Sequence, residues 1–397
     1  MQSPRITRLL SHPTAEAVDD LWREVTAAGT PLVEPGDDGQ VLVTFLWRGE
    51  AGSTRTWWGV DVELTRITNT DFWYGTQALP ADLRTIYCLM HDDADRLPTS
   101  AAGIGPSHID AHNPSSFCFP GDPADPADYD QWVSILELPD APEEPWTAAR
   151  PGVIAGTVVE TTLSSTALGG PRQVAVYRPA GVPTAGLPVL VVFDGFLSRT
   201  ALQIPAILDN LIAARRIPPM VALFVSNFSE RREAELTPTP GMADFVVREL
   251  MPWAQATLGA GADPVRNIVS GSSRGGLVAT HIALQAPEVF GAVISQSGSF
   301  WWPSPAEGQP EWLIRQVGRG PRADLRFYLD VGNRETMPGP GDAPSQLAAN
   351  RRMRDALKTR GYPVTYAEYT GGHDYINWRR TFADALLAVS PVSLPHH

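Results

Sequence analysis

The chain has 397 residues, 43% of them hydrophobic, and a formal net charge of −13. That length exceeds what one compact core usually serves, so two domains are expected. The acidity argues against a nucleic-acid partner, and no apolar run approaches a membrane span. The opening "MQSPRITRLLSHPTAEAVDDLWREV" lacks the continuous apolar core of a secretory signal, so a cytoplasmic protein is expected. Cys88 and Cys118 are the only cysteines; neither has a partner at metal-site spacing, and two reduced thiols fit that compartment. Lys358 is the sole lysine. Any cationic site must therefore be built from guanidinium groups, which grip carboxylates and phenolates through planar, bidentate contacts.

From Val41 to about Leu138 the apolar runs are short and bounded by turn residues. "VLVTFLWRG", "TWWGVDVEL", "FWYGTQAL" and "TIYCLM" read as strands of an antiparallel β-sandwich. Trp57 and Trp58, adjacent on one such strand, are expected to face opposite sides, one of them into the core. The proline- and acid-rich "ELPDAPEEPWTAARPG" reads as a linker, giving an all-β N-terminal domain over 1–150 and a second domain over 151–397. Past the linker, strands alternate with helices. "VVETTL" and "RQVAVYRP" read as an opening hairpin, and "PVLVVFDG" is the continuous apolar strand of a doubly covered parallel sheet. There follow a helix through "ALQIPAILDNLIAARR", the strand "MVALFVS", a helix through "MADFVVRELMPWAQATL", the strand "NIVSG", the helix "GGLVATHIALQ" and the strand "GAVISQS". "LRFYLDVG", "QLAANRRMRDALKTR", "PVTYAEY" and a last helix complete a mostly parallel α/β domain of roughly eight strands.

Within that series, Gly271-Ser272-Ser273-Arg274-Gly275 satisfies G-x-S-x-G. The strand before it and the helix opening at Gly275-Gly276 supply the strand–turn–helix context of a nucleophile elbow, with Ser273 at its centre. Small residues at 271 and 275 let the backbone pass close to a strained serine. A serine needs a base, and the base an orienting acid. The downstream histidines are His281, His373, His396 and His397. His281 falls inside the helix after the serine, whereas His373 sits in the glycine turn "EYTGGHDYINW" directly after the last predicted strand, where a base belongs. For the acid, Glu335 in the loop after "FYLDVG" is preferred; Asp330, inside the strand, and Asp374, next to the histidine, are the alternatives. The oxyanion hole is expected from the backbone N–H of Arg274 and that of Gly195 or Phe196 in "FDGFLSR", with Asp194 bracing that loop.

With these residues placed, the chain resembles the enterochelin (enterobactin) esterases over most of its length. The motifs that carry the resemblance are "VVFDGF", "RREAEL", "SGSSRGGL", "SQSGSFWWP", "GNRE" and "GGHDYINWR", together with "VTFLWRG", "DAHNP" and "LELPDAPEEPW" nearer the N-terminus. The resemblance implies an immunoglobulin-like, early-set β-sandwich coupled to an α/β-hydrolase domain. It also implies cleavage of the ester bonds of a catecholate trilactone siderophore in the cytoplasm, with release of iron. On that basis Ser273 is the nucleophile and His373 the base, and "GNRE" supports Glu335. Two positions depart from the family: Arg274, commonly apolar there, and Phe196, which some members replace by an acid.

No resident metal or organic cofactor is implied; iron would arrive with the substrate. A ferric tris-catecholate is anionic, so an acidic protein must concentrate positive charge locally. Arg232, Arg274, Arg334 and Arg379 all fall on loops near the predicted active edge, and two of the four are expected to touch substrate. Trp301 and Trp302 offer faces on which catechol rings could stack, with guanidinium help. Two rival readings share parts of this pattern. One is an esterase for another macrolactone, a depsipeptide or an aromatic ester; the other is a binding protein on a hydrolase scaffold, against which an intact serine, histidine and carboxylate argue. A homodimer is left open.

Overall fold

The computed structural model describes residues 2–94, 96–303, 308–319 and 322–390. His396 and His397 lie outside the described residues. The chain divides into two compact units. One comprises Met1–Gly121, Tyr129–Glu143 and Thr370–Ile376; the other comprises Asp122–Asp128, Glu144–Tyr369 and Asn377–His397.

The first unit opens with two helices not expected from the sequence, α1 (Pro4–Ser11) and α2 (Ala15–Ala28). Their caps are local: Ser3 Oγ accepts from the Ile6 N–H ahead of Pro4, and Thr14 Oγ1 accepts from the Ala17 N–H. Ile6, Leu9, Val18, Leu21 and Val25 are buried with Leu32, Leu46, Ile67 and Phe72. The expectation of an all-β unit therefore fails for its first 28 residues.

Nine strands follow: β1 (Leu32–Pro35), β2 (Gln40–Arg48), β3 (Thr54–Trp58), β4 (Thr65–Arg66), β5 (Phe72–Pro80), β6 (Arg84–His91), β7 (Ser107–His108), β8 (Ser116–Phe119) and β9 (Gln131–Glu137). They form two antiparallel sheets, ordered β1-β2-β5-β4 and β3-β6-β9-β8, with β7 on β6. Val43, Phe45, Trp73 and Leu79 of the first sheet share a core with Tyr87, Leu89 and Leu136 of the second. Cys88 is buried, Cys118 half-buried, and both are free thiols.

"TWWGVDVEL" is not one strand. β3 stops at Trp58, which holds a left-handed φ of 94°, and the chain reverses so that Glu63 bridges back to Arg55. A Cβ at Gly59 would stand 1.8 Å from Thr85 Oγ1, so only glycine fits there. The break also ends the side-chain alternation. Trp57 and Trp58 do not face opposite ways; their rings lie 5.8 Å apart, and both are half-buried rather than core.

In the second unit β10 (Thr157–Ser165) and β11 (Gly170–Arg178) form the expected hairpin. Then come β12 (Val189–Val192), α3 (Gly195–Thr200), α4 (Ile204–Ala213), β13 (Val221–Val225), α5 (Ser229–Glu235), α6 (Pro240–Asp244), α7 (Met251–Leu258), β14 (Ile268–Ser272) and α8 (Arg274–Gln285). β15 (Ala292–Gln296), α9 (Trp312–Val317), β16 (Arg326–Gly332), α10 (Gln346–Thr359), β17 (Val364–Tyr369) and α11 (Tyr375–Val389) complete the series. The sheet runs β10-β11-β13-β12-β14-β15-β16-β17, parallel from β13 onward. Every residue of β12, β13 and β15 is buried, as helices on both faces require.

Two expected helices differ from their sequence reading. The helix expected from Ala201 begins at Ile204, because Gln203 before it is in the left-handed region, and α3 ahead of it was not anticipated. Between α6 and α7, Phe245–Leu250 forms a π-helical turn ahead of Pro252, whose missing N–H and ring forbid a regular α-turn at that point. The linker is irregular but tied down: Asn210 Nδ2, on α4, donates to the carbonyls of Trp146 and Ala148.

Candidate active site

β12, β14, β15 and β16 lie side by side in parallel register, so the loops that follow them leave at one edge of the sheet. These loops carry Asp194 and Gly195, Ser273, Ser297 and Ser299, and Glu335 in turn. β17 ends at that edge too, and His373 follows it in the chain.

Ser273 takes φ 56° and ψ −119°, a conformation that costs a non-glycine residue on the order of 1–3 kcal/mol. The turn is held by main-chain bonds: Ser273 N–H to Gln296 O at 2.8 Å, and Ser299 N–H to Ser273 O at 2.9 Å. A Cβ on Gly271 would lie 2.4 Å from the carbonyl carbon of Gly275, and one on Gly276 2.4 Å from Ser295 Oγ. Gly275 is less confined, its nearest neighbour being Phe193 Cβ at 3.3 Å. The tight packing thus falls on 271 and 276 rather than on 271 and 275. Ser273 Oγ stands 3.3 Å from Ser299 Oγ, a neighbour that lies outside the G-x-S-x-G motif.

Arg274 is the first residue of α8 and Gly195 the first of α3, so their N–H groups have no intrahelical acceptor. Asp194 precedes Gly195 in a left-handed conformation, and a Cβ on Gly195 would come within 2.6 Å of the Phe224 carbonyl carbon. Arg232 holds Asp194 through both carboxylate oxygens, at 2.7 and 2.8 Å, and Asn227 Oδ1 accepts the Asp194 N–H. Asn227 in turn donates to Glu235, which pairs with the buried Arg172. Asp194 braces its loop, as expected.

Glu335 is buried. Its Oε1 accepts from Ser297 Oγ at 2.6 Å, from the Gly332 N–H at 2.8 Å and from Tyr369 Oη at 3.3 Å. Ser297 Oγ accepts from Trp378 Nε1, so the acid rests on a shell of three side chains. Asp330 differs in kind. It is fully buried, and neither carboxyl oxygen has a partner within hydrogen-bonding distance. Burial pushes its pKa up to about 7, with Glu335 adding to the rise; Thr381 and Gln296 lie near enough to oppose it weakly. Asp374, the other alternative, accepts from Thr85 Oγ1 at 2.8 Å in the first unit.

His373 lies in Thr370–Ile376, which packs with the first unit, where its carbonyl accepts from Trp58 Nε1 at 3.0 Å. His281 is buried on α8, 5.6 Å from the Trp312 ring, and burial lowers its pKa to about 4.

The expected substrate cations are mostly engaged already. Arg274 donates to the Glu233 carbonyl at 2.6 Å, pairs with the Glu233 carboxylate at 2.7 Å, and lies over the Trp302 ring at 3.9 Å. Burial lowers its pKa, with Glu233 opposing. Arg379 donates to Glu144 at 2.7 Å. Trp301 and Trp302 are half-buried against the core, and Trp301 Nε1 donates to Gln346. Arg334 alone of the four has no ion-pair partner among the described residues; its Nε is buried without a hydrogen bond, and burial lowers its pKa. No group of three metal-ligating side chains occurs among the described residues, and no helix there is long and apolar enough to cross a membrane.

A strained serine at a strand–helix elbow, on the same sheet edge as the helix start at Gly195 and the anchored carboxylate of Glu335, is the pattern of a carboxylic ester hydrolase. The comparisons agree. A model of a family described as putative esterase matches residues 165–389. The iron(III) enterobactin esterase of Dickeya dadantii (strain 3937) is 31% identical across 96% of this chain and 94% of its own length. The iron(III) salmochelin esterase of Escherichia coli O6:H1 is 28% identical across 92% of each. Among solved structures, the ferric enterobactin esterase of Salmonella typhimurium superposes with a TM-score of 0.73 at 26% identity, covering 94% of this chain and 98% of that one. The enterobactin esterase of Shigella flexneri, crystallised in the presence of enterobactin, gives 0.73 at 25%, covering 94% and 97%. The chain belongs to this esterase family, alongside the enterobactin esterases.

Proposed function

We propose that the protein is a cytoplasmic serine esterase that opens an enterobactin-like catecholate trilactone and so frees its iron, acting through Ser273, His373 and Glu335. The observation that carries the reading is the strained Ser273 elbow in a chain similar to enterobactin esterases along almost its whole length. The proposed architecture is an early-set, immunoglobulin-like sandwich built from β1 to β9 behind the helices α1 and α2, in a domain ending near residue 150, and an α/β-hydrolase domain over 151–397.

Ser273 Oγ attacks a seryl ester carbonyl while His373 takes its proton. The carbonyl electrons pass to oxygen, held by the N–H of Arg274 and of Gly195 or Phe196. As the tetrahedral intermediate collapses, protonated His373 gives its proton to the leaving seryl oxygen. Water, deprotonated by the same histidine, then cleaves the acyl-enzyme and regenerates Ser273. Glu335 orients the imidazole and stabilises its charged form. Arg334 is the guanidinium best placed to meet an anionic catecholate, with Trp301 and Trp302 as aromatic faces.

A second reading, an esterase for a less anionic macrolactone, depsipeptide or aromatic ester, is favoured by one observation. Arg232, Arg274 and Arg379 are already neutralised by carboxylates. The test is a chromatographic product assay of the purified protein with ferric and iron-free enterobactin, beside Ser273→Ala. Stepwise linear trimer, dimer and monomer, absent in the variant, is the expected result. An untouched trilactone from protein that still cleaves a simple aryl ester selects the second reading.

A further inference from the structure

We propose that Trp58 and Thr85, in the first unit, are positioning residues for His373. The inference rests on the reading of His373 as the base and adds what holds it there.

The histidine loop contains two consecutive glycines, Gly371 and Gly372, so its own backbone does little to restrict it. It packs on the sheet that holds β3 and β6 and on the turns beside it. Thr370 Oγ1 donates to Asp82 Oδ2 at 2.8 Å. Gly372 rests on Gly59, where an added Cβ would come within 3.3 Å of Gly59 Cα. The His373 carbonyl accepts from the Trp58 indole at 3.0 Å. Asp374 Oδ2 accepts from Thr85 Oγ1 at 2.8 Å, with both side chains fully buried. The Tyr375 ring lies 5.3 Å from Phe119, which itself stacks on Trp58. Thr370, Gly372, His373, Asp374 and Tyr375 are thus each held by β3, β6, β8 or the turns beside them.

Two features mark the grip as built rather than incidental. Trp58 holds φ 94°, a strained state for a tryptophan, at the point where β3 breaks and its indole meets the loop. The next residue, Gly59, has no Cβ, and this leaves room for the Thr85 hydroxyl that holds Asp374. Strain, missing side chain and hydroxyl all serve the same few atoms. The matched esterase region, 165–389, contains none of Trp58, Gly59, Asp82, Thr85 or Phe119. On this proposal that region alone lacks the groups that place its base.

Neither residue reaches the imidazole's chemistry directly; one holds the main chain of His373 and the other its neighbour. Loosening the grip displaces the ring without changing the groups that bind substrate, and a displacement of about 1 Å costs on the order of 100-fold in rate. The expected signature is a fall in kcat with KM preserved. Trp58→Phe keeps the ring stack and removes the N–H. Thr85→Val keeps the shape and removes the hydroxyl, and Thr85→Ser restores the hydroxyl.

The test is steady-state hydrolysis of a small aryl ester by the full chain, together with the rate at which a fluorophosphonate labels Ser273. Expected are 10- to 100-fold losses of kcat and of labelling rate in Trp58→Phe and Thr85→Val, less than about threefold change in KM, and recovery to within about threefold in Thr85→Ser. Full kcat in folded Trp58→Phe and Thr85→Val overturns the proposal, as does a loss that Thr85→Ser fails to rescue. His373→Ala separates the two layers. If it is inactive while Trp58→Phe and Thr85→Val are not, only the positioning role falls; if it keeps its activity, the assignment of the base falls and takes the positioning role with it.

Discussion

Asp330 and Glu335 are two of the three carboxylates from which the triad acid was expected, and Asp330→Asn separates them. Asp330 is fully buried on β16 without a hydrogen-bond partner, and burial raises its pKa from an ordinary 3.8 to about 7. A folded pKa above the unfolded one means that the folded state holds the extra proton between those two values. Stability from the neutral group is complete below 3.8, declines as pH rises, and is lost by about pH 7, beyond which the curve is flat. At ~1.4 kcal/mol per pH unit, the burden of keeping Asp330 buried is about 1 kcal/mol near pH 4.5 and on the order of 4 kcal/mol at about pH 8.5. Asparagine has nearly the same shape and no charge at any pH, and Thr381 and Gln296 lie beside it. The variant should therefore gain roughly 3 kcal/mol over wild type between those two conditions, read as a pH-dependent separation of urea midpoints. Turnover should stay within a few-fold of wild type, whereas Glu335→Gln should lose about 10,000-fold in kcat, as loss of a triad acid does elsewhere. A stability offset that ignores pH, or a turnover loss in Asp330→Asn matching that of Glu335→Gln, refutes the reasoning.

The elbow predicts an unequal response to two similar substitutions. Gly271→Ala should abolish activity, by 100-fold or more on the order of a misplaced nucleophile, because its Cβ meets backbone at 2.4 Å; Gly275→Ala, whose Cβ meets a side chain at 3.3 Å, should retain measurable turnover. Aryl-ester assays on soluble, folded samples check both. Arg334→Ala should raise KM for ferric enterobactin about 10-fold or more, the worth of a charged hydrogen bond, while leaving KM for a neutral aryl ester nearly unchanged. Equal effects on the two substrates would remove Arg334 from substrate recognition.

What could be read from the sequence was what is local. The elbow announced itself because G-x-S-x-G, an apolar strand and a helix lie within twenty residues, and the strain at Ser273 follows from that spacing. β12 and β13 were visible as continuous apolar runs, whereas β17, with Thr365 and Glu368 inside it, was marked mainly by its place in the alternation of strands and helices. The two N-terminal helices also carried local signals, Ser3-Pro4 and Thr14 at their caps, but these are weak without a long periodic segment behind them. The π-helical turn was hidden because Pro252 falls inside an otherwise continuous helical pattern of apolar and polar residues.

Partnership at long range was not legible, and it decides what the charged residues do. Charge balance alone points to arginines at the active edge, and those loops do carry them. Yet Arg274 finds Glu233, 41 positions back, and Arg232 finds Asp194, 38 positions back. Three of the four guanidinium groups expected near the substrate are thereby taken up by carboxylates. Arg232 instead holds a left-handed Asp194, the residue before Gly195, through a two-pronged contact that suits a planar fork and not an ammonium group. An arginine expected as a ligand for the substrate's charge is thus spent on the loop whose Gly195 amide is proposed for the oxyanion hole. The same holds for His373, whose loop is gripped by residues 315 and 289 positions away. A motif fixes which atom reacts; the contacts that hold it in place come from parts of the chain that no motif spans.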